Sequence, residues 1–82
     1  MAKTDDHMAR VIFDLYISAS DYQQYYSGAV RMVQVVALDG RTVRFPANVL
    51  RGVVRHDGIR GRFAIDTDEQ GKFQRIIELS RV

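Results

Sequence analysis

Arg60 and Arg62 stand one residue apart in "DGIRGRF", residues 57–63. An arginine presents a planar fork of N–H donors that fits phosphate or carboxylate, and side chains at a spacing of two leave a strand on one side. The pair therefore offers the beginning of an anion-binding surface. Arg51 and Arg55 in "RGVVR" form a second pair, and "DTDEQG" at 66–71 gathers carboxylates. Catalytic chemistry has much less to work with. The chain has no cysteine, which removes thiolate nucleophiles, thiolate zinc sites and disulfides. His7 lies in a polar N-terminal stretch, and His56 stands in a loop with only Asp57 beside it, so no base is oriented toward a nucleophile. Nothing in the spacing of Asp14, Asp66 and Glu78 asks them to converge as a carboxylate pair. No phosphate-binding loop or dinucleotide fingerprint is present. No catalytic residue, metal ligand or cofactor is assigned, and the chain is expected not to be an enzyme.

The charge is unevenly spread. Residues 31–62 hold seven arginines against two aspartates, a local balance of +5, whereas the whole chain carries +2. Ten of its twelve basic residues are arginine. Such a bias fits an anionic partner. The N-terminus lacks an apolar stretch of signal-peptide length and no later run approaches a membrane span, so the expectation is a cytoplasmic protein with no membrane association. His7 and Met8 resemble a cloning junction, and residues 1–9 are read as a disordered tail preceding a single small β domain over 10–82.

Those arginines need elements to position them. Residues 10–18 alternate, with Val11, Phe13, Leu15 and Ile17 on one face, the pattern of a half-buried strand. Ser20 and Gln23 then form a capping-box pattern opening a short helix over 20–27, with Tyr22, Tyr25 and Tyr26 on one face against the core and Gly28 closing it. Residues 29–38 are apolar on both faces, as in a central strand. Asp39-Gly40 supplies a two-residue hairpin turn into a strand ended by Pro46, and one helical or 3-10 turn runs to Gly52. Strands over 58–66 and 72–80 follow, joined by a polar turn whose acidic residues stay hydrated. The expected fold is mainly β: a five-stranded, strongly bent antiparallel sheet or a small, partly open barrel. One short helix follows the first strand and a helical turn precedes the fourth. An open sheet with the helix across one face is the alternative.

On this scaffold Arg44, Arg60 and Arg62 share an outward stripe if strands 41–45 and 58–66 are neighbours, and Arg31 or Arg10 extends it. Tyr16, outward on the first strand, is the one aromatic free to stack on a base. A basic groove with an aromatic platform is the means by which small β folds hold single-stranded nucleic acid. The second expectation is a protein-interaction or homodimerisation module, because Ile12, Tyr16, Val33, Val35 and Ile76 or Ile77 exceed what one small core must bury.

Two resemblances bear on these readings. Arg51 and Arg55 match the R-x-x-x-R element of the cyclic-dinucleotide-binding PilZ domains, and "DTDEQG" is similar to their D-x-S-x-x-G element. Asp68 replaces the serine, and the two elements stand closer together than in that family, which leaves a PilZ-like regulator the least favoured reading. The same hexapeptide matches the opening of a calcium loop at Asp66, Asp68 and Gly71, but Ile77 occupies the position where a bidentate glutamate is needed. More extensively, "YYSGAV", "LDGRTVRFPANVLRGVV" and "GIRGRFAIDTDEQGKFQRIIEL" occur in the order and spacing found in the small bacterial proteins catalogued as domain of unknown function 2835. The resemblance covers roughly residues 10 to 79. It implies a stand-alone bacterial cytoplasmic protein and carries over no catalytic residue.

Overall fold

The computed structural model of the chain describes residues 9–81. The expected tail lies outside them except for Ala9, which already opens the first strand. Strand β1 (Ala9–Ser18) buries Val11, Phe13 and Ile17 as its alternation requires. It runs directly into helix α1 (Ala19–Tyr26). Ser18 remains extended, and its hydroxyl accepts from the Asp21 amide at 3.1 Å. The N-cap is therefore Ser18 and not Ser20: the strand's last residue is already in the extended conformation a cap needs. Only Tyr22 of the three helix tyrosines is buried, whereas Tyr25 is partly exposed and Tyr26 is exposed.

Strands β2 (Met32–Val36) and β3 (Thr42–Pro46) form a hairpin. Its turn differs from the two-residue form. The Ala37 amide donates to the Arg41 carbonyl at 2.7 Å, which leaves Leu38, Asp39 and Gly40 as the loop. A two-residue Asp-Gly turn needs a positive φ at both positions. Here only Gly40 has one, 92°, while the Asp39 carboxylate instead accepts from the Arg41 amide at 3.1 Å. The chain then makes a 3-10 helix (Ala47–Gly52) after Pro46, burying Leu50 completely.

Strand β4 (Gly58–Thr67) pairs with β1 along its full length and with β5 (Phe73–Arg81) on its other side. Gln74 and Leu79 are left out of the β4–β5 register as bulges. Between them Ile76 faces Ile65 and Ile77 faces Ala64, so the adjacent isoleucines serve opposite faces of the sheet.

The five strands do not form one bent sheet or a barrel. They divide into a three-stranded sheet, β1-β4-β5, and the separate β2-β3 hairpin. The second edge of β1 receives one backbone hydrogen bond from the hairpin, Leu38 amide to Ile12 carbonyl at 2.8 Å, which is too little to continue a ladder. Instead the hairpin turns its apolar face onto the inner face of the three-stranded sheet. Phe13 lies 5.8 Å from Phe45 and 6.1 Å from Phe63, ring centre to ring centre. Val33, Val35, Tyr22 and Leu50 join the same cluster. The valines expected on a second face of β2 are thus core residues. Met32, Val36 and Leu38 are the exposed ones.

Candidate nucleic-acid interface

The unbroken β1–β4 register decides which side chains meet on the outer face. It sets Arg10 opposite Asp66, Ile12 opposite Ala64, Asp14 opposite Arg62 and Tyr16 opposite Arg60. Opposed side chains on one face of an antiparallel pair touch directly. From β5, Arg75 joins Asp66, Ile77 joins Ala64 and Ser80 joins Arg62.

One end of this face is a closed ion network. Asp66 accepts from Arg10 Nε and Nη2 at 2.7 and 2.9 Å and from Arg75 Nε at 2.8 Å. One carboxylate thereby joins all three strands. Asp66 is only 3% exposed, so it is not the hydrated turn residue expected from its sequence neighbours. The Arg10 hydrogen bonds outweigh a burial that would raise its pKa and, with the one from Arg75, hold the carboxyl at about 2 against an ordinary 3.8. Asp68 does serve the turn, accepting from the Gln70 and Lys72 amides at 2.9 Å each.

The other end is open. Arg62 donates from Nε and Nη2 to Asp14 at 2.7 and 3.0 Å, and these bonds lower the Asp14 pKa. Both partners are exposed, so the pair is labile. Next to it the Arg60 guanidinium lies 5.4 Å from the centre of the Tyr16 ring, and Tyr16 is 67% exposed. Arg60 Nε is buried and has no hydrogen-bond partner among the described residues. Asp14, Leu15, Tyr16, Arg60, Gly61, Arg62 and Ser80 line a cavity of about 500 Å3 there. The arrangement presents a cation, an aromatic ring and a weakly held second cation in one groove.

The other arginines singled out from sequence lie elsewhere. Arg44 is on β3 opposite Gln34, in the hairpin and not beside β4, so the expected continuous stripe is divided between two sheets. Arg31 precedes β2 and lines a different cavity with Arg51, whose guanidinium lies 5.0 Å from the centre of the Tyr26 ring. Arg55 donates to Glu78 at 2.9 Å and lines a third cavity, so Arg51 and Arg55 do not form one anion clamp. Asp14 and Ser80 had no sequence signal as site residues, since only the strand register brings them to Arg62.

Among the described residues no helix is long and apolar enough to cross a membrane. No group of three or more His, Cys, Asp or Glu among them could hold a metal ion. Comparisons with curated proteins and with solved structures gave no match. The family model described as "Protein of unknown function (DUF2835)" matches residues 9–79, from the first residue of β1 to near the end of β5. The chain belongs to that family.

Proposed function

We propose that the chain is a non-enzymatic accessory module of the bacterial cytoplasm that binds single-stranded nucleic acid on the outer face of β1-β4-β5. The observation that carries this reading is the Tyr16–Arg60 pair at the mouth of a groove that also holds Arg62. A base stacks on the exposed Tyr16 ring, a phosphate supplies the acceptor that Arg60 lacks, and a second phosphate draws Arg62 away from Asp14. That exchange is easy because an exposed ion pair contributes only about 0–1 kcal/mol.

Fluorescence anisotropy with a labelled single-stranded oligonucleotide tests the reading. Tyr16→Ala is expected to weaken binding about tenfold, the scale of one lost stacking contact of ~1–3 kcal/mol. Arg60→Ala should weaken it similarly and flatten the plot of log affinity against log salt by about 0.7. Asp14→Asn carries the opposite sign: with Arg62 released and a negative charge removed, affinity should rise about threefold or more. A wild-type chain that binds no strand at low salt, or an Arg60→Ala chain with unchanged salt dependence, overturns the reading.

Self-association is the second reading, supported by Met32, Val36 and Leu38 on the exposed face of the hairpin. A dimer formed there should dissociate on Val36→Lys. A chain that sediments as a monomer at millimolar concentration removes this alternative.

A further inference from the structure

Four of the arginines, Arg31, Arg44, Arg51 and Arg60, have no carboxylate partner among the described residues. Two of these, Arg31 and Arg51, line one cavity of about 220 Å3 at the C-terminal end of α1. They come from different segments, clasped together where the Ala47 amide donates to the Arg31 carbonyl at 2.8 Å. Arg51 is restrained by its position over the Tyr26 ring, 5.0 Å from the centre. Tyr26 itself is 59% exposed, and Asn48 contributes an amide to the same lining. Among the described residues, no acidic side chain lines the cavity.

Basic residues at a helix C-terminus can simply offset its dipole, and α1 has no basic residue in its own last turn. That end is equivalent to about half a negative charge. Two guanidinium groups exceed it by more than a full charge, and the surplus faces a cavity that no carboxylate among the described residues lines.

We propose that this cavity binds the phosphate group of a phosphate-bearing ligand. Arg31 and Arg51 donate to the phosphate oxygens, the Asn48 amide supplies a further donor, and the exposed ring of Tyr26 supports what the phosphate is attached to. The volume is below the ~300–1,000 Å3 of pockets that enclose whole small molecules, so it takes the phosphate and its nearest atoms. That phosphate is carried by a free nucleotide or by a strand backbone. The site shares no residue with the outer-face groove and does not depend on the reading given for that groove.

Amide chemical-shift titration of the full chain with inorganic phosphate, with adenosine monophosphate and with a thymidine decamer tests the proposal, with ionic strength held by sodium chloride. Phosphate and the nucleotide should shift the amides of Arg31 and residues 47–51 and the ring signals of Tyr26. Arg31→Gln should weaken both at least tenfold, whereas Arg60→Ala should leave them unchanged. A decamer that shifts the same amides and competes with the nucleotide identifies a strand as the source. A decamer that leaves them unmoved identifies the free nucleotide. The proposal is overturned if millimolar phosphate and nucleotide both leave these amides in place. It is equally overturned if Arg31→Gln, folded by its spectrum, binds as tightly as wild type.

Discussion

Gly61→Ala is expected to cost the fold more than about 3 kcal/mol, the range reserved for backbone strain and buried clashes. Gly61 has φ of 147°, which L side chains rarely adopt, and a Cβ placed there would stand 2.2 Å from the Ser80 carbonyl oxygen. That oxygen is backbone of the neighbouring strand, so relief requires β5 to move away from β4. Arg62–Ser80 and Gly61–Arg81 are the last pairs of that ladder, and Ser80 also lines the groove. The substitution should therefore damage both stability and the outer-face site. Gly52 provides the control: a Cβ there meets nothing within 4 Å among the described residues, so Gly52→Ala should stay within about 0.5 kcal/mol of wild type. Urea unfolding of the two variants makes the comparison. A Gly61→Ala chain within about 1 kcal/mol of wild type would refute this account of the β4–β5 contact.

Asp66→Asn is the second large effect, expected to cost about 2–3 kcal/mol. The carboxylate is buried while Arg10 and Arg75 remain half in water, so the arginines can rehydrate once released and the loss stays below that of a fully buried pair. The pH dependence follows from the depressed pKa. A carboxyl held at about 2 in the fold, against an ordinary 3.8, stabilises the folded state fully above the unfolded value. That stabilisation is lost as pH falls through the folded value. The stability difference between wild type and Asp66→Asn should therefore narrow between about pH 4 and pH 2. Asp14, Asp39 and Asp57 are also lowered by their arginine partners, so the variant should keep a reduced acid sensitivity. Chemical denaturation across that range checks both statements. A gap that stays constant with pH would mean that the Asp66 network does not hold the three strands.

These two residues mark the boundary of what the sequence made legible. Element types followed from local rules: period two in β1 and β4, the apolar run of β2, Pro46 and Gly52 around the 3-10 helix. The outward direction of Tyr16, Arg60 and Arg62 followed as well, because strand phase is local. Pairing is not local. Arg62 meets Asp14 across 48 residues and Arg10 meets Asp66 across 56, and no periodicity contains that information. Arg44 joins Arg60 and Arg62 only if β3 and β4 are neighbours, and the division into two sheets removes that condition. The bulges at Gln74 and Leu79 were hidden for a related reason, since they are defined by the partner strand. Helical spacing puts Tyr26 near Tyr22 and so points it to the core. It is the last residue of a two-turn helix and remains exposed with Arg51 over its ring.

The central claim is that the outer face of the three-stranded sheet receives a single strand. Titrating the labelled chain with a short single-stranded oligonucleotide and mapping amide shifts tests it most directly. Shifts centred on Asp14, Tyr16, Arg60, Arg62 and Ser80, fading as salt rises, are the predicted result. Shifts confined to the helix end or the hairpin, with those five residues unmoved at low salt, would contradict it.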